Sequence, residues 1–510
     1  MNGERGAVRA WLGVVLALVL AGAGVVVLRG RESRTGAADF VGREACVLCH
    51  ELAGRAWAGS DHDWAMKPAS SLSVLGNFAD DTITVLGLTS RFFRRDERYF
   101  VNTEGPDGRV QDLEIRYTFG YRPLQEYVVA LPDGRLQVLD LAWDVQGQRW
   151  LSLHPEERVA PGDPRHWTGP ERSWNTGCAD CHSTNVRRTY DSATGTSRTT
   201  WAEVEVSCEA CHGPGSAHVR WVRASTVERL IRRTEHGGFA RRLRGDAELD
   251  ACAPCHSARQ ALSRGFTPGA PYFDGFAPEP LREGLYYPDG QILGEVYEYG
   301  SFTQSREYAH GVGCSVCHDP HSTRVRRADN GLCTDCHAAA TYDTTAHHHH
   351  AAGSPAARCV ECHMPARTYL GLDARRDHSL RVPRPDVALR LGTPDPCSGC
   401  HSERGAAWAA ETIVQWFGPK RPGADPFGET IAAGRARRPE AEAELVLLAG
   451  DASRPAVVRA TAVTLLGRYS SEASADAVRR AAADPEPVVR VAATAAAERL
   501  EPVDRWTALS

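Results

Sequence analysis

The chain has 510 residues, 59 basic against 64 acidic, and a net charge of −5. Only Lys67 and Lys420 are lysines, and acidic residues offset the arginines throughout, so no basic stripe points to nucleic acid. At roughly 150 residues per domain the length predicts about three domains, and the composition predicts a soluble, folded exterior.

Residues 1–35 carry the only strongly apolar run, Trp11 to Leu28, with Arg5 and Arg9 before it and Arg29, Arg31 and Arg34 after it. It is just long enough to cross a bilayer and reads as a signal peptide or an N-terminal membrane anchor. Cleavage at Ala21-Gly22-Ala23 would leave Val25 to Leu28 as an apolar new terminus, which favours the anchor. Arginines on both flanks leave its orientation open.

Residues 36–81 contain the pentapeptide CVLCH, Cys46–His50. The next segment, 82–160, has a different period. Leu113, Ile115, Tyr117 and Phe119 alternate with Glu114, Arg116 and Thr118, as in a half-buried strand. Pro106-Asp107-Gly108 and Pro132-Asp133-Gly134 sit between apolar runs as hairpin turns do. An antiparallel meander of about five strands is predicted from Thr82 to Leu153.

Residues 161–425 hold seven more Cys-x-x-Cys-His segments, all between Cys178 and His401, with 32 residues for each. That is too little chain for an aliphatic core around each one, so short helices and loops are predicted. After the last segment, Ala406, Ala409, Ala410, Ile413 and Phe417 share a helical face that Gly418-Pro419 ends. A Gly/Pro-rich linker leads to 426–510. There PAVVRATAVTLLGRY recurs as PVVRVAATAAAERLE at an offset of 31. Val458, Ala462, Leu465 and Tyr469 map onto Val489, Ala493, Ala496 and Leu500, a pattern that resembles HEAT-type helical repeats. Such a segment would dock onto the preceding core, either as a cap or as a surface for partner proteins.

The eight pentapeptides are CVLCH, CADCH, CEACH, CAPCH, CSVCH, CTDCH, CVECH and CSGCH, and they use all 16 cysteines. Cys-x-x-Cys-His is the attachment site of c-type haem: two thioethers fix the porphyrin and the imidazole ligates the iron. Structural zinc would pair the motifs into four tetrahedral sites, and a redox dithiol would want a βαβ context. Neither accounts for a histidine after the second cysteine in every case. The sequence therefore predicts eight covalent haems. They are held by Cys46/Cys49, Cys178/Cys181, Cys208/Cys211, Cys252/Cys255, Cys314/Cys317, Cys333/Cys336, Cys359/Cys362 and Cys397/Cys400. The proximal ligands are His50, His182, His212, His256, His318, His337, His363 and His401. The fold class that follows is a mainly α and irregular multihaem core with an antiparallel β-meander insert and a C-terminal α-helical repeat segment. Because such haem is attached outside the cytoplasmic membrane, residues after Arg29 are predicted to be periplasmic.

Twelve histidines remain for the sixth coordination positions. His62 shares a helical face with Met66 in SDHDWAM, and either could ligate. His218 lies too close to His212 to cap the same haem and points to a neighbour's. His310 and His321 flank CSVCH, one or two of His347, His348, His349 and His350 can face iron, and His378 is a further candidate. His154, His166 and His236 have no special context and read as ordinary polar residues. The short spacing of Cys314 and Cys333 suggests that their haems stack.

The segments FVGREACVLCH, SDHDWAM, LTSRFFRRDERYFV, CADCHSTN, CEACHGPGSAH, EGLYYPDGQILGEVYEYGSFTQS, YAHGVGCSVCHDPHS, CVECHMP and GTPDPCSGCH resemble a family of exported multihaem cytochromes with C-terminal TPR or HEAT repeats. Their haem region, about residues 40 to 420 here, is similar to the family typified by the tetrahaem electron acceptor of hydroxylamine oxidoreductase. The resemblance implies periplasmic electron transfer between redox partner proteins. It also implies distal ligation by His62, His218, His310, His321, the His347–His350 cluster and His378. The alternative is an octahaem oxidoreductase acting on a small nitrogen or sulfur compound at one open haem. A third reading is a scaffold whose repeats recruit partners.

Overall fold

The computed structural model describes residues 38–227, 229, 243–263, 265–295, 297–419 and 427–500. The apolar run Trp11–Leu28, His236 and the linker residues 420–426 fall outside them. Among the described residues no helix is long and apolar enough to cross a membrane.

From Lys67 to Ser152 the chain forms one antiparallel sheet of nine strands. They are β1 (Lys67–Pro68), β2 (Ala79–Val85), β3 (Leu88–Arg95), β4 (Arg98–Glu104), β5 (Val110–Phe119), β6 (Leu124–Ala130), β7 (Leu136–Val138), β8 (Leu141–Asp144) and β9 (Arg149–Ser152). The order is β2-β3-β4-β5-β6-β8-β9, with β1 pairing β5 and β7 pairing β6. Strand β2 packs beside β9, so the sheet curls almost into a barrel. The sequence predicts fewer strands because β1 and β7 are too short to display a period of two.

Both predicted turns close hairpins. Gly105 N–H donates to Arg109 O at 2.9 Å and Leu131 N–H to Arg135 O at 2.8 Å. Gly108 and Gly134 supply the positive φ, 79° and 82°, that a side chain would strain. Phe92, Tyr99, Val101, Leu113, Ile115, Tyr127, Trp143 and Trp150 fill the interior. A bulge between Ile115 and Tyr117 then reverses the alternation of β5. Phe119 consequently leaves the interior and joins Val128 and Val138 on the outer face, packed against Met66, Trp174 and Ala179. The bulge thus turns an apolar patch of the sheet towards the CADCH segment, which begins at Cys178.

Between Trp174 and His401 no described helix exceeds eight residues. A run of helices of 8 to 13 residues follows, α1 (Gly405–Phe417), α2 (Gly428–Arg435), α3 (Ala441–Gly450), α4 (Ala456–Leu466), α5 (Glu472–Ala482) and α6 (Pro487–Ala497). Residues Val458, Ala462 and Leu465 of the first repeat and Val489, Ala493, Ala496 and Leu500 of the second are all buried in one cluster. That cluster also contains Leu281, Tyr286 and Ile292 from the segment between the fourth and fifth motifs. Backbone polarity is matched across the seam. Thr461 Oγ1 accepts from Leu281 N–H at 2.9 Å, and Arg435 donates to Leu281 O at 2.6 Å and to Tyr286 O at 3.0 Å.

Candidate haem sites

Each Cys-x-x-Cys-His segment winds into a helical turn. His50, His182, His256, His318, His337 and His401 N–H each donate to the carbonyl of the cysteine four residues earlier, at 2.8–3.2 Å. Cys208–His212 and Cys359–His363 are single helical turns too. A helical turn sets positions i, i+3 and i+4 on one face. Two thiols and an imidazole therefore face the same side, as two thioethers and an axial bond to one porphyrin require. All 16 cysteines are unpaired thiols.

The polypeptide does not enclose these thiols equally. Cys49, Cys336 and Cys400 are exposed, whereas the other motif cysteines are partly buried. At the first motif the cause is local. Cys49 lies in residues 48–52, every one of them exposed, where Leu48 and Leu52 are 80% and 82% accessible. The helical turns on either side, Arg43–Val47 and Glu51–Trp57, bury only Trp57 between them.

Six motif histidines face a second imidazole from elsewhere in the chain. His50 stands 6.3 Å, centroid to centroid, from His218, and His256 stands 6.3 Å from His62. His212 is 6.5 Å from His321 and His318 is 6.4 Å from His378. His363 is 6.3 Å from His347, and His401 is 6.3 Å from His350. An imidazole nitrogen binds a metal at about 2 Å, and the half-widths of two opposed rings bring the centroid separation to roughly 6 Å. The spacing fits an iron between each pair.

Tautomers agree with this use. Carbonyl oxygens accept from Nδ1 of His350 (His348 O, 2.5 Å), His363 (Arg381 O, 3.0 Å) and His378 (Arg376 O, 3.0 Å). A carbonyl can only accept, so Nδ1 carries the proton and Nε2 is left free to ligate. Burial pushes His62 down to about 4 and keeps its ring neutral. Burial alone would lower His256 as well. The hydrogen bond and charge of Glu298, whose Oε2 lies 2.9 Å from its Nδ1, outweigh burial and hold it at about 9.

The other candidates go elsewhere. Met66 is fully buried in the apolar cluster beside the sheet, where its sulfur accepts from Ser183 Oγ at 3.6 Å. His348 packs on His350, and His349 stacks on Trp416 at 3.9 Å. His310 donates from Nδ1 to Arg306 O at 2.7 Å and meets no other ring among the described residues. Among the described residues no imidazole stands opposite His182 or His337. His182 Nδ1 is 2.7 Å from Ala65 O, and its ring meets the edge of Phe119 at 5.2 Å. His337 has Tyr342 at 5.8 Å and Glu307 Oε1 at 3.8 Å. Near Cys178 lie the carboxylates of Glu126 and Glu295 and the guanidinium of Arg172. Burial pushes Glu126 up to about 7.

Polar latches hold the motifs in register. Glu209, fully buried inside CEACH, accepts from Val41 N–H at 3.0 Å, Gly42 N–H at 2.8 Å and Gly215 N–H at 2.6 Å. This carboxylate ties the approach to the first motif onto the third. Glu248 accepts from Ser315 N–H at 2.5 Å and links the fourth motif to the fifth. Asn330 Oδ1 accepts from Cys359 N–H at 2.8 Å and links the sixth to the seventh. Asp61, beside His62, accepts from Thr323 Oγ1 at 2.6 Å and from Arg122 at 2.8 Å, so it fixes the His62 and His321 loops to each other. Nothing in one sequence separates Glu209 from the other acids at the variable positions of these motifs, and sequence reasoning misses it. Glu209→Ala strands three donors, one buried and two part-buried, and leaves a cavity, and is expected to destabilise the protein by about 3 kcal/mol. Denaturant unfolding of the haem-loaded protein measures this, and a loss below about 1 kcal/mol would show that the latch is dispensable.

Residues 148–213 match the family model for cytochrome c554 and c-prime. The whole fold matches the crystal structure of outer cell wall cytochrome OcwA with a TM-score of 0.50 at 18% identity, covering 90% of this chain and 99% of that one. The eight Cys-x-x-Cys-His turns, the local family match and the shared fold support a multihaem c-type cytochrome. No curated protein matches the chain in sequence. At that identity the likeness to OcwA is one of fold. Within this chain the motif cysteines lie close in a definite order. Cys46 lies beside Cys208, Cys181 beside Cys255, Cys252 beside Cys314 and Cys333 beside Cys359. Cys211 is near Cys252, Cys317 near Cys336 and Cys362 near Cys400. The fourth motif therefore neighbours the second, third and fifth, and the sixth, seventh and eighth follow in line.

Proposed function

We propose that this electron-transfer cytochrome carries eight haems and is exported to the periplasm, where it moves electrons along a chain of neighbouring haems. The six opposed imidazole pairs carry the reading, because paired imidazoles suit an iron that exchanges electrons and binds no substrate. The cysteine neighbourhoods describe the route. It runs from the eighth motif through the seventh, sixth and fifth to the fourth, and there divides towards the second and towards the third and first. A junction of this kind serves two redox partners at one end and one at the other. The N-terminal apolar run would tether the chain to the membrane, and the C-terminal helices, read as HEAT-like repeats, would offer a partner surface. Protein exported by a host with haem-attachment machinery is expected to show an intact mass eight covalent haems above the polypeptide. A mass seven haems or fewer above it removes the octahaem reading, and bare polypeptide removes the cytochrome.

A second reading rests on His182 and His337. An oxidoreductase acting on a small nitrogen or sulfur compound needs an iron with an open position, and these two motifs have no imidazole opposite among the described residues.

A further inference from the structure

One end of the curled sheet opens into a cleft of about 400 Å³, within the size range of small-molecule sites. The connection from His154 to Arg172, which follows β9, covers it. Two histidines that read as ordinary polar residues line this cleft, each beside a carboxylate. His166 Nε2 lies 3.8 Å from Glu104 Oε2, and His154 Nδ1 lies 2.6 Å from Asp140 Oδ1. His166 and Glu104 are almost fully buried, at 5% and 8% exposure.

Three of the four carboxylates that line the cleft are paired with an arginine. Arg158 pairs with Glu104 at 3.2 Å, Arg165 with Glu157 at 2.8 Å and Arg172 with Asp140 at 3.4 Å. A largely compensated cleft with Leu88, Leu139 and Leu141 in its walls suits an uncharged ligand with polar ends. Arg172 Nε is a buried donor with no acceptor, which a ligand oxygen would satisfy. Arg172 also connects the cleft to the haem chain. Only Ser173 and the turn Trp174–Gly177 separate it from Cys178, and its charge reaches that thiol.

Resting on the electron-transfer reading above, we infer that this cleft binds a p-hydroquinone and oxidises it. Both phenolic O–H bonds break and two C=O bonds form. One proton goes to the Glu104–His166 pair and the other to the Asp140–His154 pair. The two electrons leave one at a time through the haem attached at Cys178 and Cys181, reducing two ferric haems of this chain to ferrous. An uncharged carrier of two protons and two electrons matches the two acceptor pairs, the largely paired charge and the adjoining haem attachment.

The test uses full-length haem-loaded protein. Calorimetry with tetramethyl-p-benzoquinone is expected to show one binding site, and Val159→Trp, which fills the cleft from the covering loop, is expected to abolish it. Stopped-flow reduction by tetramethyl-p-hydroquinone is expected to saturate with concentration and to slow about a hundredfold in Glu104→Gln, while reduction by dithionite is unchanged. Equal rates for an isoprenoid-tailed hydroquinone in phosphatidylcholine vesicles would point to a membrane carrier as the source, and reduction by the tailless compound alone to a soluble one. Dithionite reduction without saturable hydroquinone reduction, or quinone binding that survives Val159→Trp, overturns the inference and leaves the electron-transfer reading standing. Protein without haem overturns both.

Discussion

Removing residues 427–500 is expected to abolish accumulation of the folded, haem-loaded protein rather than release a working haem core. The helices α2 to α6 do not rest on a finished surface. Leu281 and Tyr286, at 0% and 1% exposure, are buried in the same cluster as Leu445, Val458 and Val489, so the deletion lays bare side chains worth roughly 1.5–3 kcal/mol each. It also strands Leu281 N–H and the carbonyls of Leu281 and Tyr286, now served by Thr461 and Arg435, at about 1–3 kcal/mol apiece. Those losses together approach the 5–15 kcal/mol that typically separates a folded domain from its unfolded chain. Yield of exported protein and haem per polypeptide measure the effect. A truncated protein with full haem content would show that the helices are a detachable module. A scaffold role for the repeats is therefore better tested by substituting exposed residues such as Leu447, which is 74% exposed on α3.

The eight Cys-x-x-Cys-His segments were legible in the sequence because their geometry is local: two thiols and an imidazole within one helical turn need no information from the rest of the chain. The half-buried sheet was legible for the same reason, since alternation and Pro-Asp-Gly turns are short-range signals. What lay opposite each motif histidine was not. His62 meets His256 across most of two hundred residues, and nothing near His62 distinguishes it from Met66, four positions on, which the fold instead buries beside Phe119 and Trp174. The bulge in β5 was equally hidden, because Leu113, Ile115, Tyr117 and Phe119 alternate without a break while the strand they form changes face between Ile115 and Tyr117. His154 and His166 looked ordinary because their partners, Asp140 and Glu104, come from the turn before β8 and the end of β4, and the cleft they share exists only once the sheet has curled.

Electron paramagnetic resonance of the oxidised protein is expected to show six low-spin ferric irons and two high-spin ones, the latter at His182 and His337. The count follows from the opposed rings, since among the described residues six motif histidines have an imidazole at 6.3–6.5 Å and these two do not. Cyanide, a strong ligand for a vacant ferric position, should convert the high-spin signal and leave the six others unchanged. His62→Ala then makes the sharper test. The imidazole is held in place by its neighbour Asp61, which Arg122 and Thr323 grip, and burial keeps it in the neutral form that binds metal. Taking it away leaves the iron of His256 five-coordinate, so the high-spin signal should grow by one iron per molecule. An unchanged spectrum in His62→Ala would remove His62 from the ligand set and, with it, the use of ring separation to assign the other five. Eight low-spin irons in the parent protein would instead mean that some other group ligates opposite His182 and His337, and the oxidoreductase reading would lose the open position it requires.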